Sequence, residues 1–383
     1  MNDRLGGRTK VRLGEATGHN LVHAADHNLR ITLELIRRKG RLGRIDLAAL
    51  TGLTPAGVGN ILHRLTSEGL IRDVGGSGKR SVQYEIAPDG AYGMGIDIAG
   101  DTIEVALVNL AGEVVHRDRC EAASSAPDAF AKAVRDTAFS VAARLSATAS
   151  PRLLGIGLAA PDTLGADQLA VLTQSLAPFA VQAERDTTAA VLAERRFGAG
   201  GHDGSFVHIL LRDRIRAGFL INDTVYEGVT RSAGRIGDMH TGEDGRPLDE
   251  VAAIADLSPE LARAGEKPSS GTALPGCRED AIEAWLAATS EHLLDAIVAL
   301  AGLIAPGTVF IGGVLSDDLN RRLVEHLNEG RAERMTGPVQ PRWLPEIAAS
   351  SVGIDAVLLG AAILPFLHRL LPDPRRPSGV GPG

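Results

Sequence analysis

The segment from Leu47 to Gly69, LAALTGLTPAGVGNILHRLTSEG, constrains the fold of this chain more than any other. Thr54 is a favourable N-cap, and Pro55 suits the first helical position, where its missing N–H has no partner to lose. Gly69 supplies a helix stop. Between them, apolar residues recur at i, i+3, i+4 and i+7 of one helical face: Val58, Ile61, Leu62 and Leu65. The pattern predicts an amphipathic helix that begins after Thr54 and ends before Gly69.

A shorter helix is predicted just before it, over Arg44 to Thr51, with Leu47 and Leu50 facing inward and Gly52 at its end. Two helices joined by a tight turn are typical of a helix-turn-helix, whose second helix enters the major groove of DNA. The residues that we expect to contact DNA from this unit are Arg44, Thr54, Ala56, Gly57, Asn60, His63 and Arg64. The alternative that some of them, His63 above all, only solvate the helix stays open.

The flanking segments complete a winged helix-turn-helix domain over residues 25–88. A first helix is predicted over Asp26 to Lys39, capped by Asp26. Two short strands, the second alternating over Ser81 to Ile86, enclose a glycine-rich basic tip and form a β-hairpin. On that tip, Lys79 and Arg80 are placed to contact phosphates or to reach into a minor groove. Residues 1–24 are polar, and we expect a disordered arm.

Charge is distributed unevenly along the chain. Residues 1–90 carry 14 Lys and Arg against 9 Asp and Glu, whereas residues 91–383 carry 26 against 38. A basic segment joined to an acidic one is typical of a DNA-binding domain attached to a domain that does not bind DNA. Chance clustering of surface charge is the alternative.

The length of 383 residues suits two or three domains. We expect no membrane span, because no stretch of about 20 apolar residues is evident. Cys120 and Cys277 lie far apart in the sequence, which argues against a disulfide framework and a cysteine-rich zinc site. A cytoplasmic protein is therefore expected.

Residues 91–200 and 201–371 each read as short strands, a helix and a further strand. Two such α/β units in tandem, with a cleft between them, are the layout of the actin-like (ribonuclease H-like) sugar-kinase fold. The tail over 372–383 is rich in Pro and Gly, and we expect it to be mobile.

Several segments together resemble the ROK family, which contains bacterial transcription repressors and sugar kinases of one fold. IRRKGRLGRIDLAALTGLTPAGVGNILHRLTSEGLI resembles the family's helix-turn-helix. GMGIDIAGDTIEVALVNLAGEVV resembles its first phosphate-loop hairpin, GIGLAAP its inner strand, and ERDTTAAVLAERRFG the segment with its sugar-contacting Asp. AGRIGDMH resembles its metal and sugar signature, and APGTVFIGG its late glycine pair. The resemblance covers roughly residues 26–365 and implies a winged helix-turn-helix followed by a duplicated kinase-like body.

The two phosphate loops depart from the family pattern. Where the family has Asp-x-Gly-Gly-Thr, this chain has Asp97-Ile98-Ala99-Gly100-Asp101, which places a carboxylate where backbone N–H groups should meet a phosphate. The second loop reads LRDRIR and lacks the tight Gly turn, although its three arginines could attract an anion: Arg212, Arg214 and Arg216. We therefore expect no ATP binding, no cofactor and no enzymatic activity.

The segment that resembles the family's metal signature also departs from the family pattern. The family supplies one His and three Cys, but here Asp238 occupies the His position and GEDGRPLDE contains no Cys. A structural zinc site needs four such ligands at set spacing. His240 lies two places late, with Glu243 and Asp244 nearby. A metal site built from these is the alternative, but a solvated acidic loop is the favoured interpretation, so no metal is expected.

The sugar site is altered rather than lost. Asp186 matches the family's sugar-contacting Asp, which in the kinases acts as general base. Its usual Asn neighbour is Arg185, and the signature Glu is Arg235. Two interpretations stay open: an arginine pairs internally with Asp186 and fills the pocket, or the ligand has changed to an acidic sugar or sugar phosphate. The tentative effector-binding residues are Arg185, Asp186, Arg235, Asp238 and His240.

The favoured function is a transcription regulator, in the simplest case a repressor of carbohydrate-related genes, that binds a pseudo-palindromic site as a homodimer or dimer of dimers. Gly57 and Gly59 stand where the family usually carries Thr and Ser, which leaves Asn60, His63 and Arg64 as the expected contacts. One alternative is a ROK sugar kinase with a DNA-binding head. Another treats the body as a protein-interaction module.

Overall fold

The computed structural model describes residues 21–75, 82–123, 126–201, 204–252, 279–336 and 343–375. We call residues 21–90 the head and residues 91–375 the body. Three helices form most of the head: α1 (Leu21–Lys39), α2 (Arg44–Thr51) and α3 (Pro55–Ser67). An antiparallel sheet of order β1-β3-β2 completes it: β1 (Leu42–Gly43), β2 (Ile71–Asp73) and β3 (Gln83–Ile86). The expected basic tip with Lys79 and Arg80 lies outside the described residues.

The start of α3 follows its sequence, because the Thr54 hydroxyl accepts a hydrogen bond from the Gly57 N–H at 3.1 Å. Gly69 adopts φ = +71°, as the expected helix stop requires. The inward orientation expected for Leu50 is wrong, since its side chain is 48 % exposed. Leu47 fills the buried position where α2 meets α1 and α3, and Leu50 lies about 60° further round the helix. The first helix begins at Leu21, so Asp26 lies within it.

Two five-stranded sheets form the body. The first contains β4 (Tyr92–Ala99), β5 (Thr102–Asn109), β6 (Val114–Glu121), β7 (Leu153–Ala160) and β8 (Val181–Arg185). The second contains β9 (Phe206–Leu211), β10 (Ile215–Ile221), β11 (Thr224–Tyr226), β14 (Thr308–Gly313) and β15 (Glu346–Ala349). Between β11 and β14, the short strands β12 (His240–Thr241) and β13 (Arg246–Pro247) form a separate hairpin.

The two large sheets have the same topology. Their orders are β6-β5-β4-β7-β8 and β11-β10-β9-β14-β15, so in each the first strand lies at the centre. In each sheet the first three strands are antiparallel and the last two are parallel to the first. The body is therefore a duplicated mixed α/β fold, as the sequence pattern predicts.

Seven described helices surround the sheets: α4 (Pro127–Ala142), α5 (Ala166–Ser175), α6 (Asp186–Phe197), α7 (Leu248–Val251), α8 (Glu279–Ile304), α9 (Asp317–Thr336) and α10 (Ala356–Arg369). Two of them link the sheets, because α6 packs on β9 and β10 while α10 returns to β4 and β7, and the two helices contact each other. Glycine permits this close approach. A Cβ at Gly157 would lie 1.8 Å from the carbonyl oxygen of Ala361, and one at Gly360 would lie 1.8 Å from that of Ala189.

Helix α8 is long and apolar enough by composition to cross a membrane, although the sequence analysis noted no such stretch. Its buried residues, Trp285, Leu286, Leu293 and Ile297 among them, belong to the hydrophobic core of the second sheet. The core helices of folded domains commonly meet the same criterion. In this structure α8 is a core helix.

The head is docked on the body through α1. The guanidinium of Arg30 donates to the carbonyl oxygens of Leu367, His368 and Leu371 at 3.0–3.1 Å, which caps the end of α10. Glu34 pairs with Arg196 near the end of α6 at 2.5 Å. Apolar residues of α1 and α10 belong to one continuous core: Leu29, Leu33, Leu364 and Leu367. The head therefore contacts the ends of both helices that link the two sheets.

Candidate functional site

Helices α2 and α3 form a sharply bent pair on the outer side of the head. They meet at 114° across a turn of three residues, within the range typical of helix-turn-helix units. Asn60, His63 and Arg64 of α3 are exposed, whereas Val58 and Leu62 are buried in the head core. Helix α3 thus presents a polar face to solvent along most of its length.

The other residues expected on this face lie close to it. Arg44, Thr54 and Ala56 are exposed and Gly57 is half-buried. The Arg44 side chain runs along α3, because a Cβ at Gly59 would lie 3.8 Å from its Cδ. The first residue of α2 therefore adds a guanidinium to the surface of α3.

Arg64 already has acidic partners within the head. It pairs with Glu68 at 2.9 Å and Asp26 at 3.4 Å, and the hydrogen bond to Glu68 raises its pKa. Both ion pairs are exposed, and such pairs contribute less than about 1 kcal/mol. A phosphate or a base could therefore displace them.

A second candidate site lies where the two sheets of the body face each other, around Asp97, Asp186 and Arg212. We call this region the cleft. Asp97, near the end of β4, is 6 % exposed. Its carboxylate accepts a bidentate pair of hydrogen bonds from Arg212, with 2.9 Å between Arg212 Nη1 and Asp97 Oδ1. Burial alone would lower the pKa of Arg212, but the charge and hydrogen bonds of Asp97 raise it above its usual range. The β4–β5 and β9–β10 hairpins are thus joined to each other by a buried ion pair.

Asp186 begins α6 beside this pair and is 8 % exposed. Burial raises its pKa, and the charge of Arg212 offsets only part of that effect. Its carboxylate accepts a hydrogen bond from the Thr187 N–H at 2.7 Å. The cation whose charge opposes the rise in the pKa of Asp186 is thus Arg212, which lies in the turn between β9 and β10.

Neither of the arginines expected to pair with Asp186 does so in the described structure. Arg185 instead donates to the carbonyl oxygen of Ala233 at 3.2 Å. Arg235 is exposed. Of the two open interpretations, the one in which Arg185 or Arg235 pairs internally with Asp186 is not observed, because β8 directs Arg185 toward the loop at Ala233 and the 3-10 turn after Arg235 leaves that side chain in solvent.

Two further carboxylates, which the sequence patterns did not single out, line the cleft. Arg216 lies 3.7 Å from both Asp162, which follows β7, and Asp249, on α7. Asp249 also accepts a hydrogen bond from the Ile215 N–H at 2.6 Å. The run GRPLDE contained Asp249, but only the tertiary structure shows that its carboxylate holds the second loop.

Asp238 and His240 contact residues other than Asp186. Asp238 is exposed and 3.8 Å from Arg214, and the His240 ring nitrogen Nδ1 lies 2.6 Å from the Gly245 carbonyl oxygen. Within the described ranges, no group of three or more His, Cys, Asp or Glu is arranged to hold a metal ion.

Side chains of α8 instead fix the loop between β12 and β13. The His292 ring nitrogen Nδ1 lies 2.8 Å from the Thr241 hydroxyl, and Asp295 accepts from the Gly242 N–H at 2.8 Å. Asp295 is in turn paired with Arg334 at 2.6 Å. Protein hydrogen bonds thus attach this loop to the core of the second sheet.

Comparison with known proteins identifies the family. The ROK family profile matches residues 93–366. The chain belongs to the ROK family. Its body has the mixed α/β, sugar-kinase-like fold of that family.

Relatives within the family include both regulators and kinases. The chain is 25 % identical over 231 residues to the xylose repressor of Bacillus subtilis, which covers 55 % of this chain and 60 % of the repressor. It is 25 % identical over 318 residues to the glucokinase of Halalkalibacterium halodurans, covering 71 % and 94 %. A solved ROK family transcriptional regulator, described as a homologue of the E. coli MLC protein, superposes with a TM-score of 0.66 at 20 % identity, covering 90 % of this chain and 96 % of that one.

Proposed function

We propose that this ROK protein is a DNA-binding transcription regulator whose head is a winged helix-turn-helix domain. The observation that carries the proposal is the 114° pair of α2 and α3, with an exposed polar face on α3. The three-stranded sheet of the head provides the strands of a wing. The protein acts in the cytoplasm, most simply as a repressor of carbohydrate-related genes, in line with its similarity to the xylose repressor.

In this proposal α3 lies in the major groove. Asn60 pairs with adenine and Arg64 with guanine, the base edges that these side chains match best. Nearby groups contact the phosphates and set the register of the head: Arg44, Thr54, His63 and the backbone at Ala56 and Gly57. Lys79 and Arg80, which lie outside the described residues, are further proposed phosphate contacts. Two heads of a homodimer, or a dimer of dimers, occupy the half-sites of a pseudo-palindrome.

The body serves as a scaffold for dimerisation and senses an effector, but it has no kinase activity. ATP phosphates would need to approach the two hairpins that Arg212 and Asp97 join, where a carboxylate opposes a phosphate. Asp186 keeps a buried carboxylate at the start of α6, which is suited to accept hydrogen bonds from sugar hydroxyls. The effector is therefore a sugar or a sugar phosphate, with Arg185 at the same edge of the cleft.

Selection of genomic DNA fragments by the purified full-length protein at near-physiological salt tests the proposal. We expect enrichment of a two-fold symmetric site. Asn60→Ala should weaken binding to that site by about tenfold or more, because a well-formed bidentate pair contributes roughly 1–3 kcal/mol. Gln174→Ala, an exposed amide on α5, is the matched control and should leave binding unchanged.

Binding that depends on salt but not on sequence would contradict the assignment of α3 as a reading helix. ATP turnover with any hexose would establish the kinase alternative instead, and Asp186→Asn should then abolish that turnover.

A further inference from the structure

A cavity of about 300 Å³ lies where the head meets the body. Four elements form its walls: α1 of the head, the end of α6, the turn between β10 and β11, and the segment 372–374 that follows α10. This volume is at the lower end of the range for small-molecule sites. The cavity is separate from the cleft that contains Asp97 and Asp186.

Arginines outnumber carboxylates around this cavity. Arg38, from α1, and Arg195 and Arg196, from α6, line its wall, and Arg37 and Arg375 pair with carboxylates of the wall. Three carboxylates also line it, and each takes part in an ion pair: Glu34 with Arg37 and Arg196, Asp223 with Arg195, and Asp373 with Arg375. Glu34 is thus a single carboxylate shared by two guanidinium groups.

Arg196 is the most buried of these cations, with a side chain that is 6 % exposed. Its Nη1 pairs with Glu34 and its Nη2 donates to the Pro372 carbonyl oxygen, whereas its Nε is buried with no hydrogen-bond partner among the described residues. Burial lowers its pKa, Glu34 opposes that effect, and the neighbouring charges of Arg37 and Arg195 lower the pKa further. A buried guanidinium that shares its carboxylate in this way would gain from a second anionic partner.

We propose that this junction cavity is a binding site for a small organic anion carrying phosphate or carboxylate groups. The ligand's oxygen atoms accept hydrogen bonds from Arg196 on the floor and from Arg38 and Arg195 on either side. Guanidinium groups suit this role because they donate planar pairs of N–H groups to such oxyanions.

An anion in this position joins the head to the body, because Arg38 belongs to α1 and Arg195 to α6. The ligand thus stabilises the docked orientation of the head. Its effect on DNA affinity rests on the proposed function, whereas its binding does not.

Isothermal titration calorimetry on the full chain, without DNA, measures binding directly. The probes are inorganic phosphate, glucose 6-phosphate and citrate, with glycerol as the neutral control. We expect binding of at least one anion and none of glycerol. Arg38→Ala and Arg195→Ala should each weaken the binding by about tenfold or more, since each removes a charge-assisted hydrogen bond. Arg144→Ala, a half-exposed arginine paired with Asp118, is the matched control.

Asp223→Asn gives a test of opposite sign. The side chain is 61 % exposed and its φ of +60° is well tolerated by Asn, so the variant should fold. Removing this negative charge from the wall should tighten the binding of an anion severalfold, whereas a cationic ligand would bind more weakly.

The inference is overturned if none of the three anions binds at about 1 mM. A Kd of about 1 mM corresponds to a binding free energy of only some −4 kcal/mol. Binding that neither Arg38→Ala nor Arg195→Ala reduces would overturn it equally, because the ligand would then lie elsewhere. A protein that binds the anion but no specific DNA would refute the proposed function and leave this site established.

Discussion

The β4–β5 hairpin of the first sheet and the β9–β10 hairpin of the second occupy equivalent places in two sheets of the same topology. The segments at their turns carry opposite net charge. The first has Asp97 and Asp101, and the second has Arg212, Arg214 and Arg216 against Asp213. The two turns are joined by the Arg212–Asp97 pair. Equivalent elements of a duplicated fold can thus become partners of one another.

The largest effect is expected from breaking this pair. Arg212→Ala leaves Asp97 as a buried, unpaired carboxylate, which typically costs about 3–5 kcal/mol of unfolding free energy. Chemical denaturation at neutral pH measures the loss. Arg214→Ala removes a cation from the same loop that is 55 % exposed and makes only long contacts, so it should cost less than about 1 kcal/mol.

Asp97→Leu combined with Arg212→Met should recover most of the stability, since an apolar pair of similar volume often replaces a buried ion pair without loss. A single Arg212→Ala variant as stable as the parent would mean that the two hairpins are not joined, and the comparison would fail.

An effect of intermediate size is expected on the pH dependence of stability, from His208 in β9. This residue is fully buried at the centre of the second sheet. The central strand of the first sheet has apolar side chains there, such as Met94 and Ile96. Burial lowers the pKa of His208 from 6.5 to about 4, although the charge of Glu194 opposes the shift. The unfolded chain therefore binds a proton that the folded chain rejects.

Stability should accordingly be full above pH 6.5 and fall as the pH drops toward 4, by a few kcal/mol in total. Denaturation curves across this range measure the slope. His208→Leu should remove this component, whereas His326→Gln, on the surface of α9, should retain it. An unchanged slope in His208→Leu would show that other groups cause the acid sensitivity.

The smallest effect concerns Asp186, next to the joined hairpins. Its pKa is raised, so its contribution to stability is present below its ordinary pKa and is lost as the pH rises through the raised value. Asp186→Asn should therefore stabilise the protein at pH 7, and the gain should vanish in acid. Thermal unfolding at the two pH values tests this. Destabilisation at pH 7 would indicate that the charge of Asp186 is needed to hold Arg212.

Local elements of the fold could be predicted from the sequence because their signals are local. The cap at Thr54 and the apolar stripe from Val58 to Leu65 predicted α3, which spans Pro55–Ser67 in the structure. Alternating or continuous apolar residues specify such elements without reference to the rest of the chain.

The cleft could be predicted only in part, because its contacts join residues far apart in the sequence. The arginines of LRDRIR were noted as able to attract an anion, but the anion proved to be Asp97, 115 residues earlier. Asp186 was selected by resemblance alone, and neither Arg185 nor Arg235, the two arginines considered as its partners, pairs with it. Which charges meet across the cleft depends on how the two sheets face each other, and no local pattern records that.

The return of α10 to the first sheet affects the order in which this protein can fold during synthesis. The five strands of the first sheet end at Arg185, yet the helix that covers β4 and β7 begins only at Ala356. The face of the first sheet that α10 covers therefore stays uncovered on the ribosome until α10 has been translated. Gly157 and Gly360 then let α10 pack closely, because neither carries a side chain, so a helix that follows the second sheet in the sequence completes the first.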